Sequence, residues 1–241
     1  MQHLRYVTIT GADDTTPIEA LIDLSAEYPF VEWGILVSRR QEGSYRFPGR
    51  EWISQFCSTV STRPEINVSM HMCGQWVRKT LMGENIWHEM PPGIAERAQR
   101  IQINTHAEPH GSTVAMVNRL ADLGLKEFIF QWDGVNDHLA RAAAGYGVRA
   151  AALFDTSGGA GILPSGWPRP DDKLPCGYAG GLGPDNVVQQ LRMILTVCDV
   201  PFWIDMERRV RIDDDSRLDM LKVRKVLQNV RGMIERGEIE V

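Results

Sequence analysis

A chain of 241 residues, 43% hydrophobic and 24% charged, has the composition of an ordinary globular protein and the length of one large domain or two small ones. Its net charge of −5 excludes the broad basic surface that nucleic acid or an anionic membrane would need. The four cysteines (Cys57, Cys73, Cys176, Cys198) form no CxxC pair and suit free thiols in a reducing compartment better than a zinc site or a disulfide framework. The opening "MQHLRYVTIT" has no basic region followed by an apolar run, and no apolar stretch approaches the roughly 20 residues of a membrane span. The expectation is a soluble cytoplasmic protein.

Short runs rich in β-branched and aromatic residues recur along the chain and predict eight strands. They are "YVTIT" (6–10), "EWGILVS" (32–38), "INVSMHM" (66–72), "RIQINTH" (100–106), "EFIFQW" (127–132), "RAAALFD" (149–155), "CGYAG" (176–180) and "PFWIDM" (201–206). Most are too continuously apolar to alternate, as parallel strands covered on both faces are. Helical patterns lie between them. "TPIEALIDLSAEY" carries Ile18, Leu21, Ile22 and Leu24 near helical spacing, with Thr15 or Thr16 as its cap. "STVAMVNRLADLG" opens on a Ser112 or Thr113 cap and closes on Gly124. "PDNVVQQLRMILTVC" begins with Pro184 and Asp185, which suit a helix start, and "RLDMLKVRKVLQNVRGMI" is a closing amphipathic helix.

Eight strands alternating with helices predict one (β/α)8 TIM barrel over residues 1–241, with the Gly/Pro-rich segment 157–177 as a long loop at its site. A doubly wound open sheet would favour a GxGxxG turn after its first strand, and "ITGADD" is not one. In such a barrel the chemistry gathers where strands end. Those ends are Thr10, Ser38, His71, His106, Asp133, Asp155, Gly180 with Gly181, and Asp205. A carboxyl such as Asp155, at a strand end in apolar surroundings, has its neutral form favoured, as a proton donor requires. The Gly180–Gly181 pair and the helix starting near Pro184 offer backbone N–H groups to a phosphate, and Gly159 and Gly161 let the backbone come close to a ligand.

With these residues in place, the sequence resembles the phosphoribosylanthranilate isomerase family. "YAGGLGPDNV" (178–187) is similar to that family's seventh-strand LAGGLNPENV, and "FDTSGGAG" (154–161) to its sixth-strand acid followed by GGTG. "GSYRF" (43–47) resembles its SPRYV, and "INTHAE" (103–108) more faintly its QLHG. The resemblance implies an Amadori rearrangement of a phosphoribosyl amine, with Asp155 as general acid and Arg46 on the anthranilate carboxylate. It implies no cofactor and no metal, and leaves room for a homodimer. The substrate would be a small phosphorylated sugar or phosphoribosyl amine.

Two departures stand out. The family's base is a cysteine in a KICG motif ending strand one, where this chain has "TITG" with Thr10 in its place, and a threonine hydroxyl is a poor base unaided. His71, His106 and Asp133 are the replacement candidates, histidine having the most suitable ordinary pKa. "DMERRVR" also stands where the family has DVSSGVE, putting Glu207 near the phosphate end and Arg208 or Arg209 where either could pair with a phosphate. Ile162 replaces the lysine that follows GGTG. Two rival readings remain: a metal-dependent phosphosugar epimerase using His71 and Cys73, and a non-catalytic barrel that binds a phosphorylated ligand.

Overall fold

The computed structural model describes residues 3–104, 112–124, 126–134, 137–155, 160–170 and 174–241. Each apolar run forms its strand: β1 (Leu4–Thr10), β2 (Val31–Val37), β3 (Asn67–Cys73), β4 (Arg100–Asn104), β5 (Glu127–Trp132), β6 (Ala150–Phe154), β7 (Cys176–Ala179) and β8 (Phe202–Met206). All pair in parallel with their chain neighbours, and β8 closes onto β1 with Thr8 opposite Asp205 and Ile9 opposite Met206. Around this barrel lie α1 (Ile18–Glu27), α2 (Arg50–Thr59), α3 (Gln75–Leu81), α4 (Ile94–Arg97), α5 (Thr113–Ala121), α6 (Asp137–Gly145), α7 (Val187–Leu195) and α8 (Met220–Glu235). No helix among the described residues is long and apolar enough to cross a membrane.

Side-chain caps set the starts of two helices, and two other helices start away from their expected places. The Ser112 hydroxyl accepts from the Ala115 N–H to cap α5, and the Asp219 carboxylate accepts from Leu221 and Lys222 at the start of α8. At α1 the cap position is Pro17, without a side-chain bond, because the Thr15 and Thr16 hydroxyls both turn back to Asp13. Residues 184–186 form a turn before α7, so that helix starts later than its Pro-Asp pair suggests. Between β6 and β7 the described residues 160–170 and 174–175 contain no helix. There the Trp167 indole donates to Gln190 of α7 at 3.0 Å, and the Tyr178 hydroxyl to the Pro168 carbonyl at 3.0 Å.

Alternation along the strands divides the apolar residues into two cores. Val7, Ile9, Val31, Trp33, Ile35 and their equivalents face the helices in one large outer cluster. The inner cluster is small: Ile129, Ala151, Leu153 and Trp203, with Tyr6 and Ala179 packed against it. Gly177 makes room for Trp203, since a Cβ there would lie 2.0 Å from the indole ring.

Polar side chains fill the remainder of the barrel interior. Arg100, 2% exposed, donates to Glu127 at 2.8 Å and to Glu32 at 2.9 Å, and its guanidinium lies 4.0 Å over the Trp203 ring. Arg5 adds a second cation on Glu127, and the Thr8 hydroxyl donates to Glu32 at 2.7 Å. Burial pushes the Glu32 carboxyl up, against the pull of Arg100 and Thr8. Burial acts the same way on Glu127, but Arg100 and Arg5 together hold its carboxyl below the usual value. Removing the one cation both acids share leaves uncompensated buried charge. Arg100→Leu is therefore expected to cost roughly 3 to 5 kcal/mol in urea unfolding near neutral pH. The loss should shrink toward about pH 4, where the two carboxyls can take up protons; an equal loss at both pH values would contradict this.

Candidate active site

At the C-terminal ends of the strands a cavity of about 320 Å³ opens into the barrel. Its floor and walls bring together Thr10, His71, Asp155, Gly161, Gly180, Gly181, Arg46, Arg208 and Arg209, residues drawn from loops spread over the whole chain. Asp133 lies just past β5, half-buried, and is not part of the wall. His106 and Gly159 fall outside the described residues.

Thr10 is 2% exposed and donates its hydroxyl proton to Asp205 at 2.9 Å. The contact follows from barrel closure, which sets the inward positions of β1 beside those of β8. Gly34 of β2, paired with Thr10, leaves the space it needs: a Cβ there would sit 2.3 Å from the Thr10 hydroxyl and 2.9 Å from the His71 ring. Burial pushes the Asp205 carboxyl up to about 8. The Thr10 hydrogen bond opposes that rise, while the charges of Glu207, Glu32 and Asp155 add to it. A carboxyl that keeps its proton near neutral pH thus stands beside the position where the resembling family has its cysteine.

The other candidates are less suited to accept a proton. Burial, with Arg100's charge adding, pulls His71 down to about 3, so its ring is neutral near pH 7. Burial pushes the Cys73 thiol up to about 11, with the Asn104 amide opposing from 3.3 Å. Beside His71 in register lies Gln102, which donates to Asn104 at 2.7 Å. His71 Nε2, Gln102 Oε1 and Gln131 Oε1 are buried and have no partner among the described residues. Among the described residues no three His, Cys, Asp or Glu side chains are spaced to hold a metal ion.

The opposite wall is formed by glycine turns and arginines. Gly180 and Gly181 have φ of 110° and 64°, a region where a side chain would be strained, and a Cβ on Gly181 would approach the Leu163 nitrogen to 2.6 Å. Asn186 fixes the following turn by accepting from the Gly183 N–H and donating to the Gly181 carbonyl. Arg208 packs over Gly161 and Arg209 over Gly183, and neither makes an ion pair among the described residues. Arg46 is engaged: it donates to Glu207 at 2.6 Å and pairs with Asp215 at 2.7 Å. Asp215 in turn holds the buried Arg211, which reaches Asp13 at 2.8 Å.

Sequence reasoning had Asp205 in view as a strand end but gave it no role. Gln102, Gln131 and Asn104 were passed over, although they alternate with apolar residues along β4 and β5 and line the cavity.

No family model and no curated protein sequence matches the chain. Solved structures do. Phosphoribosylanthranilate isomerase from Thermotoga maritima, described as monomers generated from a dimeric enzyme, is 16% identical with a TM-score of 0.57, covering 95% of this chain and 100% of that one. N-(5'-phosphoribosyl)anthranilate isomerase from Pyrococcus furiosus is 16% identical at a TM-score of 0.53, over 95% of this chain and 100% of that one. Phospho-2-dehydro-3-deoxyheptonate aldolase from Thermotoga maritima is 15% identical at 0.54, over 98% of this chain and 71% of that one. At such identities the likeness establishes the barrel fold.

The raised Asp205 carboxyl makes a stability prediction. A folded-state value above the unfolded one means the native state binds the extra proton, so stability is lost as pH rises from about 4 through about 8. Asp205→Asn removes that dependence. Its thermal stability relative to wild type should rise across this window, by on the order of 3 to 5 kcal/mol at most. A wild-type-minus-variant difference that stays flat with pH would show that Asp205 is not held neutral.

Proposed function

We propose that this chain is a phosphoribosylanthranilate isomerase-like sugar-phosphate isomerase, catalysing an Amadori rearrangement of a phosphoribosyl amine. The observation that carries the reading is the buried Thr10–Asp205 pair, which lines one cavity with Asp155 and the glycine-rich anion wall. Two carboxyls lining one cavity are what paired proton transfer needs.

The phosphate rests against the Gly180–Gly181 turn, with Arg208 and Arg209 supplying charge. Asp205, which keeps its proton to about pH 8, donates it to the ring oxygen. The C1–O bond breaks and the nitrogen lone pair forms C1=N. Asp155 takes the proton from C2, the C–H electrons form C1=C2, and the C1=N π pair returns to nitrogen to give the enolamine. Asp155 then returns its proton to C1 while the C2 hydroxyl gives its proton back to Asp205, leaving a 2-ketose and both carboxyls as they began. Asp155 is thus the base in this reading, and the acid comes from β8. Thr10 is a positioning residue that aims Asp205, and neutral His71 hydrogen-bonds ligand rather than taking protons.

Fluorescence-monitored turnover of 5-phosphoribosyl arylamines tests this. Asp155→Asn and Asp205→Asn should each lower kcat/KM by about a hundred- to ten-thousandfold. Wild-type kcat/KM should fall above about pH 8, as Asp205 loses its proton. Because the Thr10 hydrogen bond lowers the Asp205 value, Thr10→Val should move that limb to higher pH and Thr10→Ser should restore it. Tight binding of phosphorylated sugars with no turnover at any pH would favour the non-catalytic barrel instead.

A further inference from the structure

The mouth of the cavity contains three carboxyls, Asp155, Asp205 and Glu207, and three arginines, Arg46, Arg208 and Arg209. The arginines are not equivalent. Arg208 and Arg209 lie over Gly161 and Gly183 on the glycine wall, whereas Arg46, from the loop after β2, is clasped by Glu207 at 2.6 Å and by Asp215 at 2.7 Å. Both terminal nitrogens of the Arg46 guanidinium already serve protein carboxylates, and two negative charges compensate its one positive charge. A ligand carboxylate arriving here would have to displace Glu207 and would face its charge.

Elsewhere in the same cavity the wall changes character. The interior face of β3, β4 and β5 presents His71, Gln102 and Gln131, all at most 4% exposed, each with a polar atom that has no partner among the described residues. Leaving a buried polar atom without a partner is costly, so this face favours a ligand that supplies uncharged hydrogen-bonding groups. A carboxamide supplies donors and an acceptor at once and brings no charge.

We propose that Glu207 sets the substrate class of this site: by holding Arg46 it withdraws the arginine from carboxylate recognition. The nitrogen-borne group of the phosphoribosyl amine is then an uncharged hydrogen-bonding one of carboxamide type, seated over Gln102 and Gln131. The inference rests on the isomerase reading above.

The test uses two stable probes made by reductive amination of ribose 5-phosphate, one with 2-aminobenzamide and one with 2-aminobenzoate. They differ only in the carboxamide or carboxylate, and isothermal titration calorimetry with the full chain reads their Kd values. The carboxamide probe should bind at least about tenfold tighter to wild type. Glu207→Gln, by freeing one side of Arg46, should narrow or invert that ratio, and adding Arg46→Gln should abolish the change. Both probes binding, with the carboxylate equal or tighter, overturns the inference and leaves the isomerase reading standing. Failure of both probes to bind overturns the two together. If Glu207→Gln does not fold, the wild-type ratio alone decides.

Discussion

Inside a closed eight-stranded barrel, a carboxyl must meet a cation, meet hydrogen-bond donors or keep its proton, because ionised oxygen without a partner is too costly to bury. This chain meets the constraint differently at each level. In the lower interior Arg100 compensates Glu32 and Glu127, helped by Arg5. At the strand ends Asp205 has, among the described residues, the Thr10 hydroxyl as its hydrogen-bond partner and several negative neighbours, and burial raises its pKa. At the mouth, where solvent is near, Glu207 takes Arg46. The same rule that pairs the acids at the base of the barrel therefore leaves a carboxyl with a raised pKa at its top and a paired arginine at its rim.

The fold was legible because parallel strands buried on both faces leave a strong local mark, and all eight runs became strands. Caps were less so. Ser112 did what its position promised, while Thr15 and Thr16 were drawn to Asp13 by the turn after β1. That competition depends on the loop's path and not on the residue type.

The candidate site was legible only in part. Thr10 announced itself as a departure, but its partner lies 195 positions away, and only closure of β8 onto β1 brings the two into contact. Glu207 is 161 positions from Arg46, so the arginine read as free until the loops were in place. Gln102 and Gln131 were hidden for a different reason: alternation with Ile101, Ile103 and Phe130 puts them on the face opposite those residues, but in a strand covered on both sides it does not say which face lines a cavity. The glycine wall was the opposite case, since its φ values and close approaches are what the Gly-Gly motif already implied.

Similar barrels include isomerases and an aldolase, so the fold leaves the reaction open and the proton inventory of the site must decide it. The central claim is that Asp205 is a neutral carboxyl near pH 7. The most direct measurement is a carbon-13 NMR titration of the aspartate side-chain carboxyls, with Asp205 assigned by the resonance missing from Asp205→Asn. A midpoint near about 8 is the predicted result. Titration among ordinary aspartates, near about 4, would contradict the account and remove the proton donor on which the mechanism stands.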